Sequence, residues 1–265
     1  MKAGIGIAML AVRALVETAV QMRHRLVMLW TTDEEIGSQT SRHAIEDEAR
    51  RSAAVLVLEP SLPGGAVKTS RKGCGQYELV VRGIAAHAGI DPEKGASAIH
   101  ELAHQICRLH NVPRQAGGSL NVGVVVGGTR PNVVADEARA IIDVRATDRN
   151  EMNMLDSIIR RQTPRDERTV LEVSGGFDRP PLERTAAVAR LYERARSVAR
   201  ELGEDLAEGS TGGGSDGNFT AALGVPTLDG LGAVGDGAHA LHEYVEVDKL
   251  ANRAALVAGL ITRIQ

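Results

Sequence analysis

Three adjacent carboxylates stand where an apolar segment of the sequence ends. The motif TTDEEIGS, with Asp33, Glu34 and Glu35, follows directly on the segment HRLVMLW. Glu59 ends a similar apolar segment, AAVLVLEP, and His239 lies in GDGAHALHEYV after a third. Ligands of parallel sheets bind outside the carboxyl ends of the strands, so we expect these side chains to share one crevice.

Converging carboxylates indicate a divalent cation, because they repel one another unless a positive charge holds them ionised. Carboxylates combined with an imidazole suit zinc, manganese or cobalt better than calcium. The residues alone leave other interpretations open. Residues 33–35 could be acids at a helix N-terminus, favoured by the helix dipole. Glu59 could be a loop residue before Pro60, and His239 a surface side chain.

The elements that would position these side chains alternate between helix and strand. Residues 3–20 repeat apolar positions at helical spacing. Residues 25–31 form an apolar run without polar alternation, which predicts a strand buried on both faces. A helix over 39–51 and a strand in AAVLVLEP follow, so residues 1–72 are predicted to begin an α/β domain with a parallel sheet.

The pattern changes near Lys72. Residues 73–178 indicate a strand, a helix, two strands, a helix and a strand, the β-α-β-β-α-β order of a small α+β sandwich. A helix over 184–202, a strand in VPTLDGL and a helix over 246–264 then resume the first pattern. The predicted fold class is therefore an α/β domain, made of residues 1–72 and 179–265, with an inserted α+β sandwich.

Composition excludes several classes of protein. The chain has 265 residues, of which 43% are hydrophobic and 25% charged, enough to bury a core. A net charge of −3 without a basic block argues against nucleic-acid binding. The apolar runs are short and the start shows no signal-peptide pattern, so we expect a cytoplasmic protein without a membrane span. Cys74 and Cys107 lack a CxxC pattern, which predicts free thiols.

Six motifs occur in the order found in the M20 family of metallopeptidases. They are TTDEEIGS, LEP, GIAAHAG, GGTRPNVVADEARAIIDVR, GGGSDGNF and GDGAHALHEYV. The whole chain resembles this family, and within it the glutamate carboxypeptidase (carboxypeptidase G2-like) branch. The resemblance implies a zinc aminopeptidase-like α/β catalytic domain and an inserted lid that forms homodimers through its sheet and helix.

The resemblance implies a role for each matching residue of the α/β domain. Glu34 matches the general acid/base beside a metal-bound water. Glu35 and Glu59 match ligands of two Zn²⁺ ions, and His239 matches the imidazole ligand on the Glu35 side; Co²⁺ or Mn²⁺ could replace zinc. A water between two cations has a lowered pKa, and a neighbouring carboxylate can pass its proton to the leaving amine. Asp33 is expected only to cap or orient the loop.

The lid carries three further matches. His87 matches a histidine that reaches the partner subunit's active site and stabilises the tetrahedral oxyanion. Asn132 and Arg145 match a clamp for a substrate carboxylate, which the planar fork of an arginine suits. In the α/β domain, Gly213 and Gly214 match a loop that approaches the substrate backbone. From the residues alone, His87 could be a turn histidine, Arg145 a surface charge at the end of a strand, and the glycines a flexible turn.

One part of the family pattern has no match. Members carry a His-x-Asp motif, and an Asp just before the MK(G/A)G that opens the next helix, whereas this sequence begins MKAGIGIAM. It therefore offers Glu35 and His239 for one metal and only Glu59 for the other. We expect an N-terminally truncated catalytic domain with exposed apolar strand edges, and a lid able to fold by itself.

The resemblance implies hydrolysis of the amide before a C-terminal, glutamate-like residue with a free carboxylate. Two alternatives remain open: an N-acyl or N-carbamoyl amino-acid amidohydrolase of the same family, and an inactive dimerising or binding protein. The expected partners are a small peptide or acyl amino acid and a second copy of the chain, with no nucleic acid and no membrane.

Overall fold

A computed structural model describes residues 2–264, which form two compact units. The first, here called the α/β unit, combines Met1–Lys72 with Pro181–Gln265, and the second, the sandwich unit, is Gly73–Pro180. The helices are α1 (Lys2–Glu17), α2 (Arg42–Arg50), α3 (Ala98–His110), α4 (Arg149–Arg160), α5 (Ala186–Glu201), α6 (Gly217–Ala222) and α7 (Leu250–Ile261). The strands are β1 (Val55–Leu56), β2 (Val67–Arg71), β3 (Gly73–Arg82), β4 (Ser119–Gly127), β5 (Glu137–Ala146), β6 (Val170–Arg179), β7 (Glu208–Thr211), β8 (Thr227–Leu228), β9 (Gly235–Asp236) and β10 (Tyr244–Val245).

Two parallel strand pairs lie in the α/β unit. β1 pairs with β8 and β2 with β7, while β9 and β10 form an antiparallel pair. Helices α1, α5 and α7 contribute Ile7, Leu191 and Val257 to one buried core, because each helix repeats apolar residues on one face. A Cβ on Gly4 would collide with the carbonyl oxygen of Leu58, so only glycine allows α1 to lie this close to the end of β1.

The predicted strand over 25–31 is wrong. Residues 21–31 make no backbone hydrogen bond to any described residue, and the structure assigns them to no strand. Val27, Met28, Leu29 and Trp30 are between 39% and 52% exposed. The apolar run would be buried only if strands flanked it, and none of the strands of residues 2–264 pairs with it.

The other predicted elements of the α/β unit are present and shorter than predicted. The helices expected over 39–51, 184–202 and 246–264 are α2, α5 and α7, and the expected strands are β1 and β8. None of the helices within residues 2–264 combines the length and apolar character that a membrane crossing requires.

The sandwich unit is a four-stranded antiparallel sheet covered by two helices. The strand order is β4-β5-β3-β6, and the chain order is strand, helix, two strands, helix, strand. Alternate side chains of β3 and β5, such as Tyr77, Leu79 and Ile142, pack with Leu102 of α3 and Leu155 of α4 in one core. The alternation of buried and exposed residues is what a sheet with one covered face requires.

Candidate active site

Asp33 shapes the loop that carries the acids, residues 33–38, here called the acid loop. Its Oδ2 accepts hydrogen bonds from the backbone N–H of Thr40 (2.8 Å), the Thr40 hydroxyl (2.6 Å) and the backbone N–H of Ser41 (3.1 Å), just before α2. The Ser41 and Thr40 hydroxyl groups beside this carboxylate hold the pKa of Asp33 well below its usual range. These contacts fit the expectation that Asp33 orients the loop, and its side chain makes no helix-cap bond to its own 3₁₀ turn.

The other two acids lie in a single 3₁₀ turn, Glu34–Ile36. Glu34 is half-buried and Glu35 is exposed. The hydroxyl groups of Thr31 (3.2 Å) and Ser38 donate to the carboxylate of Asp216, which directly precedes α6. These bonds tie the motif TTDEEIGS to the motif GGGSDGNF.

Glu59 and Asp229 follow the two strands of a parallel pair, β1 and β8. Burial and the negative charge of Asp229 raise the pKa of the Glu59 carboxyl, while Arg71 and Lys68 act in the opposite direction. No described residue donates a hydrogen bond to this carboxylate. A half-buried carboxylate without a donor is a group that a cation would stabilise.

His239 lies in the turn between β9 and β10. Its side chain is exposed, and its φ of 66° is in the left-handed region. That region is uncommon for residues other than glycine, and such backbone strain concentrates at functional sites.

The described residues do not form a complete metal centre. Within residues 2–264, no three or more His, Cys, Asp or Glu side chains are grouped so that they could hold a metal ion. Glu35, Glu59 and His239 come from three separate loops of the α/β unit, and two of the three are exposed. The described residues therefore do not fit a complete two-metal site, and the ligand roles of these three remain predictions.

In the sandwich unit, the structure brings His87 and Asn132 together. His87 pairs with Val133 in an antiparallel bridge, and the N–H of Ala88 donates to the carbonyl of Asn132 (3.0 Å). The backbone N–H of Gly89 donates to Nδ1 of the exposed His87 ring (3.2 Å). In the neutral ring this bond places the proton on Nε2, which leaves Nε2–H as a donor for a ligand.

Arg145 lies at the other end of β5 from Asn132. Its guanidinium binds both carboxylate oxygens of Asp143 (2.9 and 2.7 Å) and contacts the Sγ of Cys74 (2.5 Å). From Glu137 to Arg145 the strand spans roughly 26 Å, at about 3.3 Å per residue. One copy of the chain therefore cannot bring Asn132 and Arg145 to the same small carboxylate, as a clamp within a single copy would require.

The thiol beside Arg145 is free, as predicted for both cysteines. Burial raises the pKa of Cys74, and Arg145 opposes this effect. A buried thiol with a raised pKa is a poor nucleophile, so we assign it no catalytic role.

The glycine loop, residues 212–214, connects β7 to Asp216 and α6. Gly213 is exposed, and a Cβ built on it would meet no atom within 4 Å. The sequence analysis missed Arg71 and Asp229, which hold this loop from the buried side. The signal was an Asp directly after the strand of VPTLDGL, since Glu59 likewise follows a strand.

Residues 1–263 match peptidase family M20/M25/M40. The chain belongs to this family. Among curated relatives, it is 29% identical to carboxypeptidase G2 of Pseudomonas sp. (strain RS-16) over 98% of its own length and 64% of that protein. It is 26% identical to the succinyl-diaminopimelate desuccinylase of Paracoccus denitrificans (strain Pd 1222) over 99% of its own length and 72% of that protein.

Two solved structures of similar fold belong to peptidases of different kinds. The aminopeptidase PepT from Bacillus cereus ATCC 10987 superposes with a TM-score of 0.80 at 24% identity, covering 99% of this chain and 70% of that one. The YXEP protein of Bacillus subtilis, described as a dinuclear metal-binding peptidase of the M20 family, gives a TM-score of 0.70 at 16% identity, covering 97% and 70%. At these identities the likeness establishes the mixed α/β fold.

Proposed function

We propose that this M20-family chain provides the proton-transfer and substrate-binding residues of a metal-dependent hydrolase that cleaves the amide before a C-terminal residue with a free carboxylate. The observation that carries the proposal is the pair of hydrogen bonds from Thr31 and Ser38 to Asp216, which lies two residues after the glycine loop. These hydrogen bonds hold the acid loop, which includes Glu34, close to the glycine loop, whose residues carry no side chains. The similarity to carboxypeptidase G2 supports the substrate class.

Glu34 and His87 have chemically distinct tasks in this proposal. The Glu34 carboxylate takes a proton from the attacking water and returns it to the leaving nitrogen. His87 donates its Nε2–H to the carbonyl oxygen, which becomes an oxyanion when the water attacks the carbonyl carbon, since the bond from Gly89 to Nδ1 leaves that proton on Nε2.

Glu35, Glu59 and His239 are proposed as part of the ligand set of a two-metal site, with zinc, cobalt or manganese as the candidates. The description of the YXEP protein as dinuclear supports two metals. Because residues 2–264 hold no complete group of ligands, a full site would need ligands from outside the described residues.

A second copy of the chain is part of the proposal. His87 and Asn132 lie at one end of β5 and Arg145 at the other, so a site that uses all three needs two copies. β4 is an edge strand, and its residues Val124 and Val125 are 50% and 55% exposed. Unpaired edge strands with apolar side chains are ready to pair with another strand.

The test mixes two inactive variants in the presence of Zn²⁺, Co²⁺ or Mn²⁺. His87→Ala and Arg145→Ala copies should each be inactive on glutamyl dipeptides. In a symmetric dimer whose sites combine both copies, random mixing restores about a quarter of wild-type activity. No restored activity would place each site within one copy, and a wild type that takes up the metal but hydrolyses none of these dipeptides would overturn the proposal.

The similarity to a succinyl-diaminopimelate desuccinylase favours a second candidate, an N-acyl amino-acid amidohydrolase. Both reactions cleave an amide and both use Glu34. Comparing kcat/KM for glutamyl dipeptides with that for N-succinyl, N-acetyl and N-carbamoyl amino acids separates them. A chain that dimerises, takes up no metal and hydrolyses none of these compounds is instead a binding protein.

A further inference from the structure

A buried arginine holds the glycine loop by its backbone. Arg71, the last residue of β2, is 5% exposed. Its Nη1 donates to the carbonyl oxygens of Gly213 (2.9 Å) and Gly214 (3.2 Å). We propose that Arg71 is a positioning residue that fixes the N–H of Gly214 as a donor to a carboxylate or carbonyl oxygen of the substrate. The inference deepens the proposed function and rests on it.

Asp229 fixes the guanidinium itself. The Nε and Nη2 of Arg71 bind the two carboxylate oxygens of Asp229 at 2.8 and 2.9 Å, and Asp229 is fully buried. The Ser215 hydroxyl also donates to Asp229 (2.6 Å). A two-pronged bond of this kind fixes orientation as well as position, and leaves Nη1 pointing at the loop.

Because the peptide bond is planar, the hydrogen bond from Arg71 to the Gly213 carbonyl also fixes the direction of the Gly214 N–H. All described peptides of the chain are trans, so a carbonyl and the N–H of the next residue point in opposite directions. With the carbonyl of Gly213 directed at Arg71, the N–H of Gly214 is directed away from it. No described residue accepts a hydrogen bond from this N–H, whereas the next one, of Ser215, is bound to Asn218 (2.9 Å).

The glycine loop is accessible to a ligand around the N–H of Gly214. Gly212 and Gly213 are exposed and Gly214 is half-buried. Neither Gly212 nor Gly213 has a φ in the left-handed region, and Gly213 has free space where a Cβ would stand. Neither backbone conformation nor packing within the described chain requires glycine at 213, which points to a ligand that lies against the backbone there.

The experiment follows glycine amides by NMR in chain labelled with ¹⁵N-glycine, with N-acetyl-L-glutamate as the probe. In the wild type we expect the Gly214 resonance to move on titration, because its N–H acquires an acceptor. Arg71→Lys keeps the positive charge but cannot bind Asp229 and the glycine carbonyls at the same time. We expect it to bind the probe about tenfold more weakly, which corresponds to the loss of one hydrogen bond. A wild-type titration in which other resonances move and Gly214 does not would overturn the inference without any variant.

A matched control is Arg253→Lys. Arg253 is 3% exposed and likewise donates to glycine carbonyls, those of Gly232 (3.0 Å) and Gly65 (2.8 Å), but it does not hold the glycine loop. We expect this variant to keep wild-type affinity. Equal losses in both variants would mean that general destabilisation is the cause, and unchanged affinity in Arg71→Lys would equally overturn the positioning role.

Loop order in the free protein separates this inference from the proposed function. Heteronuclear NOE values of Gly212, Gly213 and Gly214 should fall in Arg71→Lys and stay unchanged in Arg253→Lys. If the wild type binds no acyl amino acid, the proposed function fails, while these values still decide whether Arg71 orders the loop. A loop as ordered in Arg71→Lys as in the wild type rejects the positioning role.

Discussion

The adjacent acids of the acid loop have different surroundings and therefore different uses. Asp33 is buried and accepts three hydrogen bonds ahead of α2, whereas Glu35 is exposed in the turn. The orienting role of Asp33 could be predicted from the sequence, whereas the strand expected before the acid loop is absent. The partners of Arg71 could not be predicted, because Asp229 lies 158 positions away and nothing local links the two.

Glu34→Gln should abolish turnover while leaving the fold intact. The amide cannot accept the proton of the attacking water, and general base catalysis contributes about 10²- to 10⁴-fold. The measurement is kcat/KM on the best substrate, together with the unfolding midpoint in urea. Glu35→Gln is not a neutral comparison if that side chain binds metal, so Glu17→Gln on the exposed surface of α1 serves as control. Wild-type turnover in Glu34→Gln would remove Glu34 as the base.

Asp33 should make the stability of the chain sensitive to acid. Its pKa is lowered in the folded state by the Ser41 and Thr40 hydroxyls, so the unfolded chain binds the proton more readily. The stabilisation is complete above the unfolded pKa of about 3.9 and is lost as the pH falls below it towards the folded value. As the pH is lowered from neutral to acid, the urea midpoint of unfolding should fall less steeply in Asp33→Asn than in the wild type. An identical acid profile for variant and wild type would contradict this.

At the scale of elements, periodicity locates helices and strands but not what surrounds them. The helical spacing of α1 and the alternation along β3 and β5 were sufficient for those elements, because each buries one side against a neighbour in the same unit. The run over 25–31 has the pattern of a strand buried on both faces, and burial of that kind depends on flanking strands that the local sequence does not encode.

Trp30 reports on that apolar segment. It is the only tryptophan of the chain and is 52% exposed. Its fluorescence should be red-shifted and readily quenched by iodide, because water reaches half of the side chain. Raising the protein concentration is the control for self-association. Protection from quenching at every concentration would mean that the segment is covered in solution.

The sandwich unit should fold without the α/β unit. Its core, with Tyr77, Ile142 and Leu155, is made entirely of its own residues, and a four-stranded sheet covered by helices can be independently stable. A fragment of residues 73–180 should unfold cooperatively in urea and give dispersed amide resonances. A fragment without a cooperative transition would show that the α/β unit is needed for its stability.

If His87, Asn132 and Arg145 serve one site, the activity of the molecule depends on dimerisation. The sandwich sheet has two edges, β4 and β6, and each carries a valine that is 55% exposed, Val125 and Val170. The predicted interface is the β4 edge, where three consecutive valines, 124–126, are each at least half exposed.

Val125→Lys should therefore convert the dimer to a monomer, because a lysine on an edge strand opposes pairing with another strand. Val170→Lys makes the same change at equal exposure on the other edge and should leave the dimer intact. Sedimentation velocity gives the oligomeric state, and the activity of each variant is measured at the same concentration. Loss of activity with loss of the dimer, in Val125→Lys only, ties the active site to pairing at β4. Dissociation by Val170→Lys alone would place the interface on β6, and a monomeric wild type would contradict a site built from two copies.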